Sequence, residues 1–210
     1  MLKMTSSDLH IKLISLIKIL IIYLIISTKS YAEDSKINKS MVTVGSYEAT
    51  VKIKIFSSLT CPHCANFHVK VVPEIMEKFV ETGKVQLIFI DFPLDLAAFN
   101  ASKLLHCIEQ KKQIIFLDTI YETQESWTNG SDIEDINENL KKIVKNLGIN
   151  SSQFDKCLID EAISDKILNG RIQANKKYSI DSTPTIIINE KKLEGSASFK
   201  NIKKRIEKII

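Results

Sequence analysis

The chain of 210 residues is long enough for one domain with a sizeable core. Its 29 basic and 25 acidic side chains give a net charge of +4, but four of the lysines lie in the first 32 residues. Without those residues the balance is 25 basic to 24 acidic side chains, which excludes the strongly basic surface that typically binds nucleic acid.

The first 32 residues have the pattern of a secretory signal peptide. Two lysines precede an apolar run at residues 14–27, and a polar stretch with small residues follows up to Ala32. An uncleaved membrane anchor is the alternative, but the run is shorter than the about 20 apolar residues of a span and contains Lys18. We therefore expect residues 1–32 to be removed on export and the mature chain to be soluble.

The residues that follow predict the order strand, strand, helix, strand. A short strand at 41–44 precedes an alternating apolar and polar segment at Thr50–Phe56, which predicts a strand with one buried face. Apolar residues then recur every four positions over 67–80, the period of a helix, and Pro73 predicts a kink in that helix. The near-continuous apolar run Val85–Phe92 is typical of a strand covered on both faces.

A long helical stretch separates these elements from the last strands. Helical patterns cover Leu96–Gln110, Gln113–Glu122, Ile133–Leu147, Ser152–Ile159 and Glu161–Lys177. Strand character returns at Thr185–Ile188, a further short strand is expected at 192–193, and an amphipathic helix ends the chain. We therefore predict an α/β core over residues 33–93 and 181–210, interrupted by a helical insertion at 94–180.

The segment Cys61-Pro62-His63-Cys64 lies between a predicted strand and the first predicted helix. Pro62 suits the first position of a helix, so Cys61 is expected at the N-cap, where free backbone N–H groups and the helix dipole stabilise its thiolate. His63 can add a further donor or a positive charge. A stabilised thiolate favours the reduced form, and this makes the disulfide form a strong oxidant. Cys64, one turn further along, would be the shielded thiol that resolves mixed disulfides.

A metal site is an alternative use of this spacing. Cys61, Cys64 and His68 form a C-x2-C-x3-H pattern, and His106 and Cys107 offer further ligands. Structural zinc sites usually pair two such clips, and the sequence has no second CxxC and no HxxxH pattern. We therefore expect no metal, and we interpret His68 and His106 as ordinary surface or core residues of helices.

Cys107 and Cys157 are expected to form a structural disulfide. In an exported chain with four cysteines, these two lie outside the CxxC segment and in two different predicted helices. A bridge between them would close a loop of about fifty residues and contribute on the order of 4 kcal/mol in the chain-entropy model. Two buried free thiols are the alternative.

A resemblance to a known family rests on several of these features together. Thr183 and Pro184 stand directly before an apolar strand, an arrangement compatible with a cis peptide bond. With the signal peptide, the strand that runs into CPHC and the helical insertion, this pattern resembles the DsbA-type thiol:disulfide oxidoreductases of the bacterial envelope, in the thioredoxin superfamily. The FPLD segment at residues 92–95 also resembles this family, and the similarity extends over about residues 40–210.

The resemblance implies a thioredoxin fold with an inserted α-helical domain. It also implies that Pro184 is cis and packs against the dithiol, and that Thr183 presents backbone groups to an extended substrate. Cys61 would be the attacking cysteine and Cys64 the resolving one. Many members of the family carry a buried acid six residues before the first cysteine, where this chain has Ile55.

These features predict a periplasmic oxidase that donates the Cys61–Cys64 disulfide to newly exported proteins. Its partners would be reduced protein substrates and a membrane protein that re-oxidises the dithiol, and no cofactor is needed because the dithiol carries the two electrons. The isomerase branch of the family that this chain resembles has an N-terminal dimerisation domain. Only about sixteen residues lie between Ala32 and the first core strand, too few to build one, so a monomer is expected. The alternatives are an isomerase or reductase that uses the same dithiol and, in another class, a metal-binding envelope protein.

Overall fold

Five strands form one mixed sheet in the computed structural model, which describes Lys18 and residues 41–210. The strands are β1 (Val42–Val44), β2 (Val51–Ser57), β3 (Val85–Asp91), β4 (Thr185–Ile188) and β5 (Lys191–Lys192). Their order is β1-β3-β2-β4-β5, with β2 parallel to β3 and the other neighbouring pairs antiparallel. The predicted signal peptide, apart from Lys18, lies outside the described residues.

β2 is the central strand of the sheet, with β3 on one side and β4 on the other. Ile53 pairs with Leu87 of β3 and with Ile188 of β4, and all three side chains are buried. The lysines that alternate with these apolar residues in β2 are only partly buried, as the predicted one-sided burial requires. β3 is buried over most of its length, which matches its near-continuous apolar sequence.

Helices occupy most of the rest of the described chain. They are α1 (Pro62–Lys70), α2 (Val72–Ile75), α3 (Leu96–Cys107), α4 (Gln113–Glu122), α5 (Gln124–Trp127), α6 (Ile133–Asn146), α7 (Ser151–Leu158), α8 (Glu161–Tyr178) and α9 (Phe199–Ile206). Helices α3 to α8 lie between β3 and β4 in sequence, where the helical insertion is predicted; the division into core and insertion stays a prediction. In the described part of the chain, no helix combines the length and the apolar character that crossing a membrane requires.

The predicted kink at Pro73 is a break between two helices. α1 ends at Lys70 and α2 begins at Val72, because proline lacks an N–H and its ring displaces the carbonyl four residues earlier. A π-helical turn, Met76–Val80, then continues α2, and the Glu81 N–H donates to the Met76 carbonyl over 3.0 Å. The four-residue periodicity of the sequence did not predict this wider turn.

α3 connects the neighbouring helices of the segment between β3 and β4. Asp95 caps its N-terminus by accepting a hydrogen bond of 2.7 Å from a backbone N–H of the first turn. Lys103 donates from Nζ to the Leu158 carbonyl at the end of α7, over 2.7 Å. At its C-terminal end Cys107 is disulfide-bonded to Cys157 of α7, with the two Cα atoms 6.3 Å apart. α3 is therefore tied to α7 by a polar contact and by a covalent bond.

Candidate active site

Cys61 stands where the chain passes from β2 into α1. It is the N-cap residue of α1, in extended conformation, and Pro62 takes the first helical position. The Cys61 carbonyl accepts hydrogen bonds from the N–H groups of Cys64 (3.0 Å) and Ala65 (3.1 Å), which fixes the first turn. The N-terminus of α1 is thus placed at the Cys61 sulfur, as the sequence predicts.

The Cys61 sulfur makes its hydrogen bond to a different part of the chain. Sγ donates to the Thr183 carbonyl over 3.3 Å, and in the described part of the chain no backbone N–H of α1 donates to it. The expected stabilisation of the Cys61 thiolate by the first-turn N–H groups stays a prediction. The partly buried Cys61 and the exposed Pro62 and His63 form the accessible side of the motif.

Cys64 has the opposite environment. It is 1% exposed, and burial above all raises its pKa to about 12, with the nearby Cys61 charge adding to the rise. The Thr183 hydroxyl and the Ser58 backbone act in the other direction and lower this pKa. Cys64 is therefore a thiol at neutral pH, shielded from solvent and placed one turn behind Cys61.

The Thr183–Pro184 peptide bond is cis, and β4 brings it to the dithiol. β4 pairs antiparallel with β2, so that Thr185 lies opposite Phe56, close to the end of β2 that leads into the motif. The Thr183 hydroxyl is buried without a hydrogen-bond partner of normal geometry among the described residues, although it is close enough to Cys64 to lower the pKa of that thiol. Thr183 thus contacts Cys61 through its carbonyl and Cys64 through its side chain.

Gln124 of α5 is a site residue that the sequence analysis missed. Its Nε2 donates to the Leu59 carbonyl over 2.8 Å and to the Cys61 carbonyl over 3.2 Å, and the residue is buried. Thr60, in the same loop, donates from Oγ1 to Asp95 over 2.6 Å. The loop before α1 is therefore held by residues far along the chain, and a single glutamine in a four-residue helix gives no sequence signal for that role.

A buried polar cluster lies behind Cys64, and it too was missed. Tyr121 of α4 is buried, and burial raises its pKa well above the usual value, with the Cys64 charge as the next cause. The Ser57 side chain lowers this pKa and the Asp91 charge raises it, and the three residues line one small cavity. A tyrosine among the apolar residues of a predicted helix was the available signal, because a buried hydroxyl needs a polar partner.

Two histidines of the proposed metal pattern pair with carboxylates instead. His68 Nε2 lies 2.7 Å from Asp118 Oδ1, and His106 Nε2 lies 2.8 Å from Asp91 Oδ2. Within residues 41–210, the structure groups no three His, Cys, Asp or Glu side chains as a metal site would require. Ile55, at the position of the family's buried acid, is packed between β3 and β4, where it pairs with Phe89 and with Ile186.

A partly buried thiol and a fully buried thiol at the start of a helix, beside a cis-proline, can form and transfer a disulfide. Among the described residues, the sheet order, the helices between β3 and β4 and this pair define a thiol:disulfide oxidoreductase with the thioredoxin fold.

Comparison with known proteins gives the family. Residues 37–208 match the sequence model of the family described as Thioredoxin. "Probable disulfide bond formation protein D" of Bacillus anthracis is 31% identical over 171 residues, which cover 79% of this chain and 76% of that protein. The crystal structure of α-DsbA1 from Wolbachia pipientis is 31% identical, with a TM-score of 0.73, over 80% of this chain and 90% of that one. BdbD of Bacillus subtilis, 22% identical, shares the fold with a TM-score of 0.71 over 81% and 92% of the two chains.

The chain belongs to the thioredoxin family, as one of its DsbA-type thiol:disulfide oxidoreductases. The predicted family, the predicted thioredoxin fold and the predicted enzyme class are confirmed. The roles assigned to individual residues stay predictions.

Proposed function

We propose that the protein is an exported disulfide oxidase that donates the Cys61–Cys64 disulfide to reduced proteins in the periplasm. The observation that carries the proposal is the unequal environment of the two sulfurs. Cys61 is partly exposed at a helix N-terminus, whereas Cys64 is 1% exposed. An incoming thiolate can therefore reach Cys61 but not Cys64. The name of the Bacillus anthracis relative, probable disulfide bond formation protein D, supports the direction of the reaction.

The reaction consists of two thiol–disulfide exchanges. A substrate thiolate attacks the Cys61 sulfur, the Cys61–Cys64 bond breaks, and Cys64 leaves with the electron pair and takes up a proton. A second substrate thiolate then attacks the substrate sulfur of the mixed disulfide, and Cys61 leaves as a thiolate. The substrate has lost two electrons and gained a disulfide, and the enzyme holds the two electrons in its dithiol.

The residues around Cys61 have matching roles in this proposal. Pro62 starts α1 and His63, exposed next to the sulfur, can donate to an incoming group. Thr183 and Pro184 place their backbone beside the dithiol, where an extended substrate can align. The Cys107–Cys157 bridge has a structural role, because it joins α3 to α7 and its sulfurs are already paired.

The cycle needs two partners of different chemistry. Reduced exported proteins supply the electrons, and a membrane protein that re-oxidises the dithiol must remove them. No organic cofactor is needed for either step, since the dithiol itself carries the electrons. We further propose that residues 1–32 direct export and that the mature enzyme acts as a monomer.

The oxidase reaction is tested with the oxidised protein and an unfolded, reduced protein that contains two cysteines. We expect one substrate disulfide per enzyme molecule, measured as the loss of two substrate thiols and the gain of two thiols on the enzyme. When Cys61 of the Cys64→Ser variant is first converted to a mixed disulfide with an aromatic thiol, a reduced substrate with one cysteine should displace that thiol and accumulate as a mixed disulfide at Cys61, detectable by mass. The Cys61→Ser variant, treated in the same way, should trap none. A mixed disulfide at Cys64 would contradict the assignment of the two cysteines.

The reduction potential decides between an oxidase and a reductase. We expect a value closer to the about −120 mV of DsbA than to the about −270 mV of thioredoxin. A potential near the thioredoxin value would contradict the oxidase proposal and favour a reductase that uses the same cysteines.

A further inference from the structure

The Gln124 side chain binds the backbone on both sides of Thr60, directly before α1. Its Nε2 donates to the Leu59 carbonyl over 2.8 Å and to the Cys61 carbonyl over 3.2 Å. A primary amide has two N–H donors, so both of them are used on carbonyls that flank one residue. Gln124 is 7% exposed, which keeps these bonds away from competing water. The position of the Cys61 carbonyl therefore depends on a side chain 63 residues later in the chain.

Gln124 is itself held in place. Its carbonyl accepts a hydrogen bond of 3.0 Å from the Thr128 N–H and one of 2.7 Å from the Thr128 hydroxyl. Trp127, on the same short helix α5, is 2% exposed and donates from Nε1 to the Ile120 carbonyl over 2.8 Å. α5 is thereby fixed to α4. The Gln124 amide therefore binds Cys61 from a part of the chain that is separate from β2 and α1.

The Cys61 carbonyl also begins the hydrogen bonding of α1. It accepts the N–H groups of Cys64 and Ala65, and Cys61 is the extended N-cap residue, with φ −78° and ψ 117°. Rotation about ψ would turn this carbonyl and the first helical turn relative to the Cys61 side chain. The Gln124 bonds oppose that rotation, because they fix the carbonyls on both sides of Thr60. The geometry between the Cys61 sulfur and the N-terminus of α1 is therefore held from outside the motif.

This geometry affects the stability of the Cys61 thiolate. The free N–H groups and the dipole of a helix N-terminus stabilise a nearby anion, and the effect falls off within the first turn. The Gln124 N–H groups place further positive partial charge at the Cys61 carbonyl. In the second exchange of the oxidase reaction Cys61 leaves as a thiolate. A more stable thiolate favours the reduced enzyme, and this makes the disulfide a stronger oxidant.

We propose that Gln124 is a positioning residue for thiol–disulfide exchange: by binding the Cys61 carbonyl, it holds the Cys61 sulfur at the helix N-terminus and makes the disulfide more oxidising. The inference rests on the oxidase function proposed above. Gln124 acts through the backbone of Cys61 and takes no part in the transfer of electrons or protons. Its effect is on the equilibrium between the dithiol and the disulfide.

The equilibrium between the full protein and glutathione tests the proposal. The wild type and three variants are incubated with mixtures of reduced and oxidised glutathione. The reduced fraction of the Cys61–Cys64 pair is measured by mass after the free thiols are alkylated, which also shows whether the Cys107–Cys157 bridge is intact. A loss of stability that is equal in the oxidised and the reduced protein leaves this equilibrium unchanged. The equilibrium constant therefore reports the dithiol and not the general stability of the fold.

The first two variants are a matched pair. Gln124→Leu removes the amide donor at the Cys61 carbonyl. Gln113→Leu is the control, because Gln113 Nε2 also donates to two backbone carbonyls, those of Leu105 (3.1 Å) and Ile108 (3.5 Å), which lie outside the motif. The two substitutions thus remove the same kind of bond at two different places.

Thr60→Val is the comparison within the loop. It removes the hydrogen bond of 2.6 Å from Thr60 Oγ1 to Asp95 but leaves the donor at the Cys61 carbonyl in place. We expect the equilibrium constant for oxidation of glutathione by the enzyme to fall on the order of tenfold in Gln124→Leu, which is a reduction potential lower by about 30 mV. The fall in Thr60→Val should be about twofold or less. Gln113→Leu should have the constant of the wild type.

An unchanged constant in Gln124→Leu would overturn the proposal, and so would an equal fall in Thr60→Val or in Gln113→Leu. If Gln124→Leu does not fold, Gln124→Asn decides the question, because it keeps the amide but withdraws its donors by one methylene group; the same fall is expected. A wild-type constant in the range of thioredoxin would contradict the oxidase function. The ratio between the constants of the variant and of the wild type would still decide the role of Gln124.

Discussion

The Cys61 sulfur lies 3.3 Å from the carbonyl oxygen of Thr183, a residue 122 positions later in the chain. Because the contact is made by a backbone oxygen, no side-chain substitution at Thr183 removes it. The Thr183 hydroxyl is a separate group, buried and without a hydrogen-bond partner of normal geometry among the described residues. The backbone and the side chain of Thr183 can therefore be tested apart.

Replacing Thr183 with valine should not destabilise the reduced protein. The change removes a buried hydroxyl that has no hydrogen-bond partner of normal geometry among the described residues, so the free energy of unfolding should stay equal or rise by up to about 1 kcal/mol. It also removes a group that lowers the pKa of Cys64, so that this pKa should rise further. Denaturant unfolding of the reduced protein measures the first effect.

Thr185→Val is the matched control for this substitution. Thr185 is also buried, but its hydroxyl donates to the Ser182 carbonyl over 2.7 Å. Thr185→Val should lower the free energy of unfolding by about 1 kcal/mol, because it removes this hydrogen bond. An equal cost at Thr183 and Thr185 would show that the Thr183 hydroxyl has a bonded partner after all.

Replacing Gln124 with leucine should loosen the loop before α1. The change leaves the buried carbonyls of Leu59 and Cys61 without the Gln124 amide, at a cost of about 2 kcal/mol. The Cys61 carbonyl also accepts the N–H groups of Cys64 and Ala65, so amide hydrogen exchange at these two positions should become faster.

Gln113→Leu separates a local effect from a general loss of stability. Gln113 likewise donates from Nε2 to a backbone carbonyl, that of Leu105, over 3.1 Å, but it does not contact the motif. We expect a comparable loss of stability. After correction for that loss, hydrogen exchange of the Cys64 amide should be as slow as in the wild type. If Gln113→Leu and Gln124→Leu increase the rate of amide hydrogen exchange at Cys64 equally, Gln124 does not stabilise the loop locally.

The disulfide between Cys107 and Cys157 should contribute a large part of the stability. It closes a loop with a sequence separation of 50, so replacing both cysteines with alanine should lower the free energy of unfolding by about 4 kcal/mol in the chain-entropy model. The rate of thiol–disulfide exchange at Cys61 and Cys64 should be unchanged under conditions where the variant is folded. A loss below about 1 kcal/mol in denaturant unfolding would contradict the structural role.

The elements of the fold could be predicted because their signals are local. The bounds of β4 and α4, Thr185–Ile188 and Gln113–Glu122, are those expected from the β-branched run and from the helical period. The placement of Cys61 at an N-cap also follows from local chemistry, since Pro62 suits a first helical turn. The turn Met76–Val80 could not be predicted, because its wider hydrogen bonding leaves no distinct pattern in the sequence.

The surroundings of the dithiol depend on tertiary packing, and the sequence alone did not show them. Gln124 reaches the Cys61 carbonyl only because α5 packs against a loop 63 residues earlier in the chain. Tyr121 meets Ser57 and Asp91 only because α4 covers the ends of two parallel strands. Neither residue stands in a motif, so the family resemblance identifies the cysteines but not the residues that hold and surround them.

The network around Glu190 predicts a pH-dependent contribution to stability. Burial raises the pKa of Glu190, but hydrogen bonds from Lys177, Lys54 and Tyr178 more than offset that effect and lower the pKa from 4.5 to about 2. Because the pKa is lower in the folded chain, the stabilisation is fully present above pH 4.5 and is lost as the pH falls to about 2. The side chain is 54% exposed, so solvent screening should keep the contribution to about 1 kcal/mol or less.

Glu190→Gln tests this prediction against Glu207→Gln, which removes a carboxylate 3.7 Å from Lys203 on the surface of the protein. Thermal unfolding is measured as a function of pH, from neutral pH down to the lowest pH at which the wild type is folded. Glu190→Gln should be less stable than the wild type above pH 4.5, and the difference should shrink as the pH falls toward about 2. Glu207→Gln should stay close to the wild type, because an exposed pair at that distance contributes little. A difference at Glu190 that is constant with pH would mean that the network acts through packing and not through the charge of the carboxylate.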